Sequence, residues 1–346
     1  MQKLNKTVIL TLYYKCKHRV ISMQDDDKYM LTGLEFDGYQ LTGKIGEGEL
    51  GVVYLAVNSA TGEAAACKIM KSEISMVGTA VQQFVYEART ASKLEHPNVI
   101  RSISAGNSSG YYYLLMEYVN GISLERMRLS SPERLTLEFI CDRFQELASA
   151  LDYAWRNHLL THGDIKPENI LIQTEPAMLK LADLGLAKVA INTPHHHNTI
   201  MGTPLYIAPE LACGEQEKST VKSDIYSFGV MFYELVCGAA PFSGSVEDVL
   251  RCHIEEKPVP VKEYGLDIPS ELADFIDSCL EKDPQKRPEN WSSVAKFLAS
   301  LKEKGFAQEK MKAAKTKIKI TTVVKAAVVL LLALLIIAEI VYLLWK

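Results

Sequence analysis

The chain has no excess of positive charge. Its formal net charge is -4, which excludes a general affinity for nucleic acid. It also has no CxxC pair. Its 7 cysteines, at 16, 67, 141, 213, 237, 252 and 279, are scattered. An odd number in a chain this long reads as ordinary thiols in a reducing compartment. Cys67 and Cys237 fall inside apolar runs, where cysteine acts as a small buried hydrophobe. The N-terminal stretch lacks the order of a secretory leader, because apolar Val8 to Leu12 comes before Lys15, Lys17 and Arg19. That run is too short to cross a bilayer, and residues 1–35 are read as an N-terminal extension. Long apolar runs are missing until residues 326–345.

What remains is enough for two lobes around a cleft. From Tyr39 to about Ile69 the pattern predicts strand, Gly-rich turn, strand, turn and strand, the signals being Leu50–Val57 and Ala64–Met70. A helix is predicted over about Val81–Leu94, stopped by His96-Pro97, and a short β-rich run over Tyr111–Met116. After Gly121 the period becomes helical. Leu137–Asn157 carries apolar residues at 137, 140, 144, 147, 148, 151 and 155, the spacing of an amphipathic helix. Lys222–Val236, Glu247–Glu255, Glu271–Leu280 and Trp291–Lys302 are further helices, while 202–210 and 238–244 read as loops. The fold class is therefore α+β: a small antiparallel-sheet lobe with one main helix, and a larger helical lobe.

Gly46-Glu47-Gly48-Glu49-Leu50-Gly51-Val52-Val53 fits GxGxxGxV. Alone this is weak, since glycines let a backbone approach phosphates in several folds. A dinucleotide-binding turn would need a helix directly after the glycines. A strand follows instead, which fits a hairpin folding over phosphates. Lys68, in Ala66-Cys67-Lys68-Ile69, stands between apolar neighbours on a strand. There it can face the cleft and hold the α and β phosphates. It then needs a carboxylate partner: Glu87 on the following helix, with Glu95 at the helix end as the fallback.

His162-Gly163-Asp164-Ile165-Lys166-Pro167-Glu168-Asn169 is far more specific. It resembles the catalytic loop of the Hanks-type serine/threonine protein kinases, bacterial branch, and the resemblance runs from about Phe36 to Leu301. In order, the chain also carries Asp183-Leu184-Gly185, Gly202-Thr203-Pro204 through Ala208-Pro209-Glu210, Asp224 and Arg287. The resemblance implies a kinase domain over 36–301, with a small lobe at 36–116, a hinge at 117–119 and a large lobe at 120–301.

It implies ATP and Mg²⁺ as cofactors, Mn²⁺ being an alternative, and protein substrates bearing serine or threonine. By resemblance Asp164 takes or orients the acceptor hydroxyl's proton, and Lys166 faces the transferring phosphoryl. Lys68 and Glu87 complete the catalytic set. Asn169 and Asp183 are the metal ligands. Ile45, Gly46, Gly48, Gly51, Val53, Ala66, Lys68, Met116, Glu117, Val119 and Leu171 form the nucleotide site, with Met116 as gatekeeper and the main chain of Glu117 and Val119 bonding adenine. Glu210 and Arg287 are expected to form a buried ion pair, Asp224 to accept bonds from the catalytic-loop backbone, and His162, Leu184 and Leu94 to pack as a spine.

Two positions depart from the family. The arginine before the catalytic aspartate is Gly163, which argues against strict dependence on loop phosphorylation. Thr193 and Thr199 remain candidate autophosphorylation sites, and Thr203 reads as the platform threonine. Leu184 replaces the commoner phenylalanine but keeps an apolar side chain. Lys68, Asp164 and Asp183 are all present, so an active enzyme is favoured over the alternative, a membrane-anchored pseudokinase acting as a nucleotide-binding scaffold. His195-His196-His197 cannot easily converge on one ion and reads as a solvated loop.

Residues 326–345 carry Glu339 as their one formally charged side chain. At about 1.5 Å per residue they span about 30 Å, a hydrocarbon core. Lys310, Lys312, Lys315, Lys317, Lys319 and Lys325 precede them in a basic linker, 302–325, and Lys346 follows. That asymmetry predicts a single-pass anchor in a cell membrane, by resemblance a bacterial inner one, with the kinase domain cytoplasmic. Glu339 leaves two readings open, snorkelling to the far interface or helix–helix self-association.

Overall fold

The computed structural model describes residues 31–48, 51–76, 78–184, 204–214 and 220–304, with all their side chains except those at 73, 79, 83 and 87. The first lobe is a six-stranded sheet: β1 (Glu35–Phe36), β2 (Tyr39–Glu47), β3 (Gly51–Asn58), β4 (Ala64–Met70), β5 (Ser102–Ser108) and β6 (Tyr111–Glu117). Its order is β1-β2-β3-β4-β6-β5, and every pairing is antiparallel. A short helix, α1 (Ser72–Ser75), and a longer one, α2 (Gly78–Ala91), lie between β4 and β5.

The two-residue period of the strands sorts their side chains onto two faces. On one face Tyr54, Cys67, Ile69, Tyr113 and Leu115 bury themselves with Leu41 and Phe36 in an apolar cluster. The register pairs Val53 with Lys68 and Lys68 with Leu114, and Ala66 with Met116. Those side chains therefore share the opposite face, toward the second lobe. A one-residue slip would exchange the two sets, so burial of the first face fixes what the second can present.

The larger lobe holds α3 (Leu124–Ser130), α4 (Leu137–His158), α5 (Pro209–Ala212), α6 (Val221–Cys237), α7 (Val246–Glu255), α8 (Ser270–Cys279) and α9 at 291–304. A three-stranded sheet of β7 (Gly121–Ser123), β8 (Ile170–Gln173) and β9 (Met178–Leu181) completes it. Thr136 caps α4 by accepting from Phe139 N–H, and Leu159 ends it in the left-handed conformation. Thr220 and Ser223 form a capping box on α6. The core packs α4 against α6 through Phe144, Phe228 and Phe232, with Trp291 of α9 edge-on to Phe228 at 5.6 Å.

The helices predicted for the large lobe are found within one or two residues of their expected ends. Two expectations change, and one strand was not expected. The helix expected to Leu94 stops at Ala91, and Leu94 is buried in the loop beyond it. The loop read over 202–210 contains the start of α5 at Pro209. Strand β5, with the sequence SISAGNS, has no apolar alternation and is seen only through its pairing with β6. Among the described residues no helix is long and apolar enough to cross a membrane, and residues 326–345 lie outside them.

Candidate active site

Residues 162–169, the expected catalytic loop, lie between α4 and β8, held from beneath by α6. Asp224 is 1% exposed, and its two carboxylate oxygens accept from the main-chain N–H of His162 and of Gly163, each at 2.7 Å. A carboxylate spent this way fixes backbone, not substrate. The His162 ring is fixed too. Asp164 N–H donates to Nδ1 at 3.2 Å and Nε2 lies 3.0 Å from Ala182 O, so the proton sits on Nε2. Gly163 adopts φ +75°, the left-handed region that costs a side chain about 1 kcal/mol. The position where the family carries arginine is thus occupied by the residue that relieves this backbone.

From that base the polar groups converge. Lys166 Nζ meets Asp164 Oδ2 at 2.7 Å. The Asn169 amide donates to the same oxygen at 3.0 Å and to Asp164 O at 2.8 Å. Both Asn169 bonds use its nitrogen, which leaves Oδ1 as an oxygen donor for a cation. Both side-chain contacts to Asp164 fall on Oδ2, which leaves Oδ1 to accept a proton. Ala182 N–H donates to Asn169 O at 2.9 Å, tying the segment that carries Asp183 to the loop.

Asp183 comes from the end of β9 at φ +54°, a conformation uncommon outside glycine and enriched at functional sites. It receives Lys68 Nζ at 2.9 Å, joining the two lobes by one ion pair. Lys68 is 6% exposed, so its ammonium is desolvated and needs negative partners. Glu87 sits on α2, but its side chain lies outside the described set. Glu95, the fallback partner, is exposed beyond the helix and is not in this site.

The residues expected to line a nucleotide site fall where the sheet puts them. Val53, Ala66, Lys68 and Met116 share the cleft face, Ile45 is exposed on the rim, and Leu171 lies on β8 opposite Ser123. Gly46, Gly48 and Gly51 bracket the turn between β2 and β3, and residues 49 and 50 at its tip lie outside the described set. Gly48 N–H closes the turn onto Gly51 O at 2.8 Å. Gly51 has a second reason to be glycine, because a Cβ there would stand 2.6 Å from Ile69 O.

Glu117 and Val119 differ in what they can offer. Glu117 N–H is committed to Arg101 O at 2.9 Å, whereas Val119 N–H has no backbone partner among the described residues. The Glu117 side chain, unremarked in the sequence, pairs with Lys180 of β9 at 2.5 Å behind the hinge. Leu184 is buried with Leu94, Val99 and Leu181, as the spine reading expected. Those residues and Met116 line a small cavity against Asp183.

Below the site Glu210 and Arg287 form a two-pronged pair, both bonds 2.9 Å. Tyr206 donates to the buried Glu234 at 2.6 Å, an interaction with no local sequence signal. Thr193, Thr199, Thr203 and His195–His197 lie outside the described residues, as do Glu339 and the lysines of 310–325.

A sequence model of the protein kinase domain matches residues 39–298. The chain belongs to the protein kinase family. It is 35% identical over 271 residues to serine/threonine-protein kinase PknA of Mycobacterium tuberculosis, covering 76% of this chain and 61% of that one. Serine/threonine-protein kinase PrkC of Bacillus subtilis is 32% identical over 263 residues, covering 75% of this chain and 40% of PrkC. A probable serine/threonine-protein kinase of Clostridium perfringens is 33% identical over 293 residues, covering 84% and 42%. The kinase chain thus spans between two fifths and about three fifths of the length of these curated relatives.

Among solved structures, the apo form of PpkA-294 superposes with a TM-score of 0.66 at 22% identity, over 77% of this chain and 98% of that one. The PknI kinase domain of Mycobacterium tuberculosis gives 0.62 at 23%, over 78% and 98%. These two carry the fold, a chain of two lobes.

Proposed function

We propose that this kinase transfers the γ-phosphoryl group of ATP to serine and threonine hydroxyls of proteins. The observation that carries the reading is the convergence of Asp164, Lys166 and Asn169 in the large lobe, with Asp183 of the same lobe holding Lys68 from across the cleft. Asp164 Oδ1 takes the proton of the acceptor hydroxyl as its oxygen attacks the γ-phosphorus. The bond to the β-phosphate oxygen breaks, and ADP leaves. Lys166 places positive charge beside the oxygens of the group in flight, and Lys68 holds the phosphates that stay behind.

The donor set also fits a divalent cation. Asn169 presents its amide oxygen, and Asp183 adds a carboxylate fixed at an unusual backbone angle. Mg²⁺, or Mn²⁺ in its place, would supply neutralisation of phosphate charge there. Glu87, at the centre of α2, is assigned as the second partner of Lys68. Val119 N–H, with Glu117 O, is assigned to the adenine edge.

Residues 326–345 are proposed as a single membrane anchor, with the kinase domain on the cytoplasmic side. Their apolar length, broken only by Glu339, and the preceding lysines support this. Carbonate extraction should leave the full chain in the membrane fraction and release one truncated at 305, and release of both would end that reading. For the chemistry, ATP labelled at the γ position is supplied with casein, and the acid hydrolysate is separated. Label on phosphoserine and phosphothreonine supports the proposal. Nucleotide binding without transfer supports a scaffold instead.

A further inference from the structure

Two residues along α6 from Asp224, Tyr226 belongs to a second buried polar chain, which ends on the segment Pro204–Ile207. His253 of α7 is fully buried. Its Nε2 lies 3.0 Å from Leu205 O, and its Nδ1 lies 2.9 Å from the Tyr226 hydroxyl of α6. A carbonyl can only accept, so Nε2 carries the proton and Nδ1 takes the one from Tyr226. Lys282 completes the run, donating to the Tyr226 hydroxyl at 3.4 Å, to Cys252 O at 3.1 Å and to His253 O at 2.7 Å. The donors all point one way, from Lys282 through Tyr226 and His253 to Leu205.

Burial first, then the Lys282 charge, push His253 down to about 4, so the ring stays neutral and the order is fixed. Phe242 lies edge-on to the His253 ring at 5.0 Å and under the Lys282 ammonium at 4.7 Å. Arg287 stacks on Tyr226 at 4.9 Å. An apolar residue would fill this space more cheaply than a histidine needing two partners. The polar chain ends on one acceptor, a carbonyl in the stretch Pro204–Ile207. The next residue, Tyr206, is tied to Glu234 and feels the carboxylates of Glu168 in the catalytic loop and Glu125 of α3. On the kinase reading this stretch, close enough to Glu168 of the loop for Tyr206 to feel its charge, belongs to the platform for the acceptor polypeptide.

We infer that His253, oriented by Tyr226 and Lys282, is a positioning residue for the acceptor polypeptide: it holds Leu205 and so sets the shape of the platform. It touches neither nucleotide nor reacting atoms. The inference rests on the kinase reading above for its functional half, and on geometry alone for its structural half.

The test uses the full chain in detergent micelles, with hydrogen exchange of the 206–208 amides and initial rates against casein and against ATP varied separately. His253→Leu should speed exchange at 206–208 about tenfold and raise KM for casein about tenfold, the loss of one buried hydrogen bond. KM for ATP should stay within about twofold. His253→Gln, whose amide can still donate to Leu205 O, should recover most of both effects, and Tyr226→Phe should fall between.

Should His253→Leu fail to fold, the Gln and Phe variants read the same two quantities. Unchanged exchange at 206–208, or KM for ATP and for casein rising together, overturns the inference. If the parent chain transfers no phosphate, the kinase reading fails on its own and the exchange comparison still decides this one.

Discussion

Replacing Arg287 isolates one buried charge pair whose partners are all visible. Arg287 is 3% exposed, and the five N–H bonds of its guanidinium are all used. Two go to Glu210, and one each to Glu281 O, Lys222 O and Lys282 O, at 2.7 to 3.0 Å. Arg287→Ala leaves the Glu210 carboxylate buried, with Ser223 at 2.8 Å as its remaining side-chain donor. Removing one member of such a pair costs about 3–5 kcal/mol, or a fall of about 6–20 °C in Tm for a domain of this size.

A second substitution separates charge from packing. Glu210→Leu added to Arg287→Met removes the stranded carboxylate, though the three carbonyls still lose their donor. The double variant should therefore regain about 2 kcal/mol of the loss without reaching the parent. Burial alone would raise the Glu210 carboxyl, but the Arg287 bonds and charge outweigh it and the net direction is down. The pair therefore stabilises fully above the ordinary carboxyl value of 4.5, and that stability is lost as pH falls through the lower folded value. Urea unfolding, followed through the buried Trp291, gives each number at pH 7 and pH 4. A loss under about 1 kcal/mol for Arg287→Ala, or a double variant no better than the single, would refute the reasoning.

His253 predicts a pH limb of its own. Its folded value is lowered from 6.5 to about 4, so its contribution is complete above 6.5 and lost as pH falls toward 4. The loss is about 3 kcal/mol, and His253→Gln should flatten that limb in urea unfolding. Gly51→Ala forces a methyl toward Ile69 O and should raise KM for ATP several-fold while lowering Tm, measured by steady-state rates and calorimetry. Gly163→Arg must hold a side chain at φ +75° and should cost about 1 kcal/mol in unfolding free energy. An unchanged midpoint would show that the loop relaxes.

The candidate catalytic cluster stood out because its residues are close in sequence and few alternatives suit their types. Asp164, Lys166 and Asn169 span six positions, and the structure brings all three into contact. Lys68 and Asp183 are 115 residues apart, and the reading on residues alone offered Lys68 only a helix carboxylate. What escaped was either unpatterned or non-local. Strand β5 carries polar, small residues and exists because β6 offers it an edge to pair with. Lys180–Glu117 joins a β9 lysine to the end of β6, and the Lys282–Tyr226–His253–Leu205 chain draws on four separate segments. Hydrophobic period announces a helix such as α4, but it is silent on which buried polar groups will meet.

The most direct test of phosphoryl transfer is a time course of label incorporation into casein by the full chain, with Asp164→Asn beside it. The account predicts transfer by the parent, loss of at least about a hundredfold in the variant, and nucleotide affinity little changed, because Asp164 acts on the acceptor hydroxyl. Equal incorporation by parent and Asp164→Asn would contradict it.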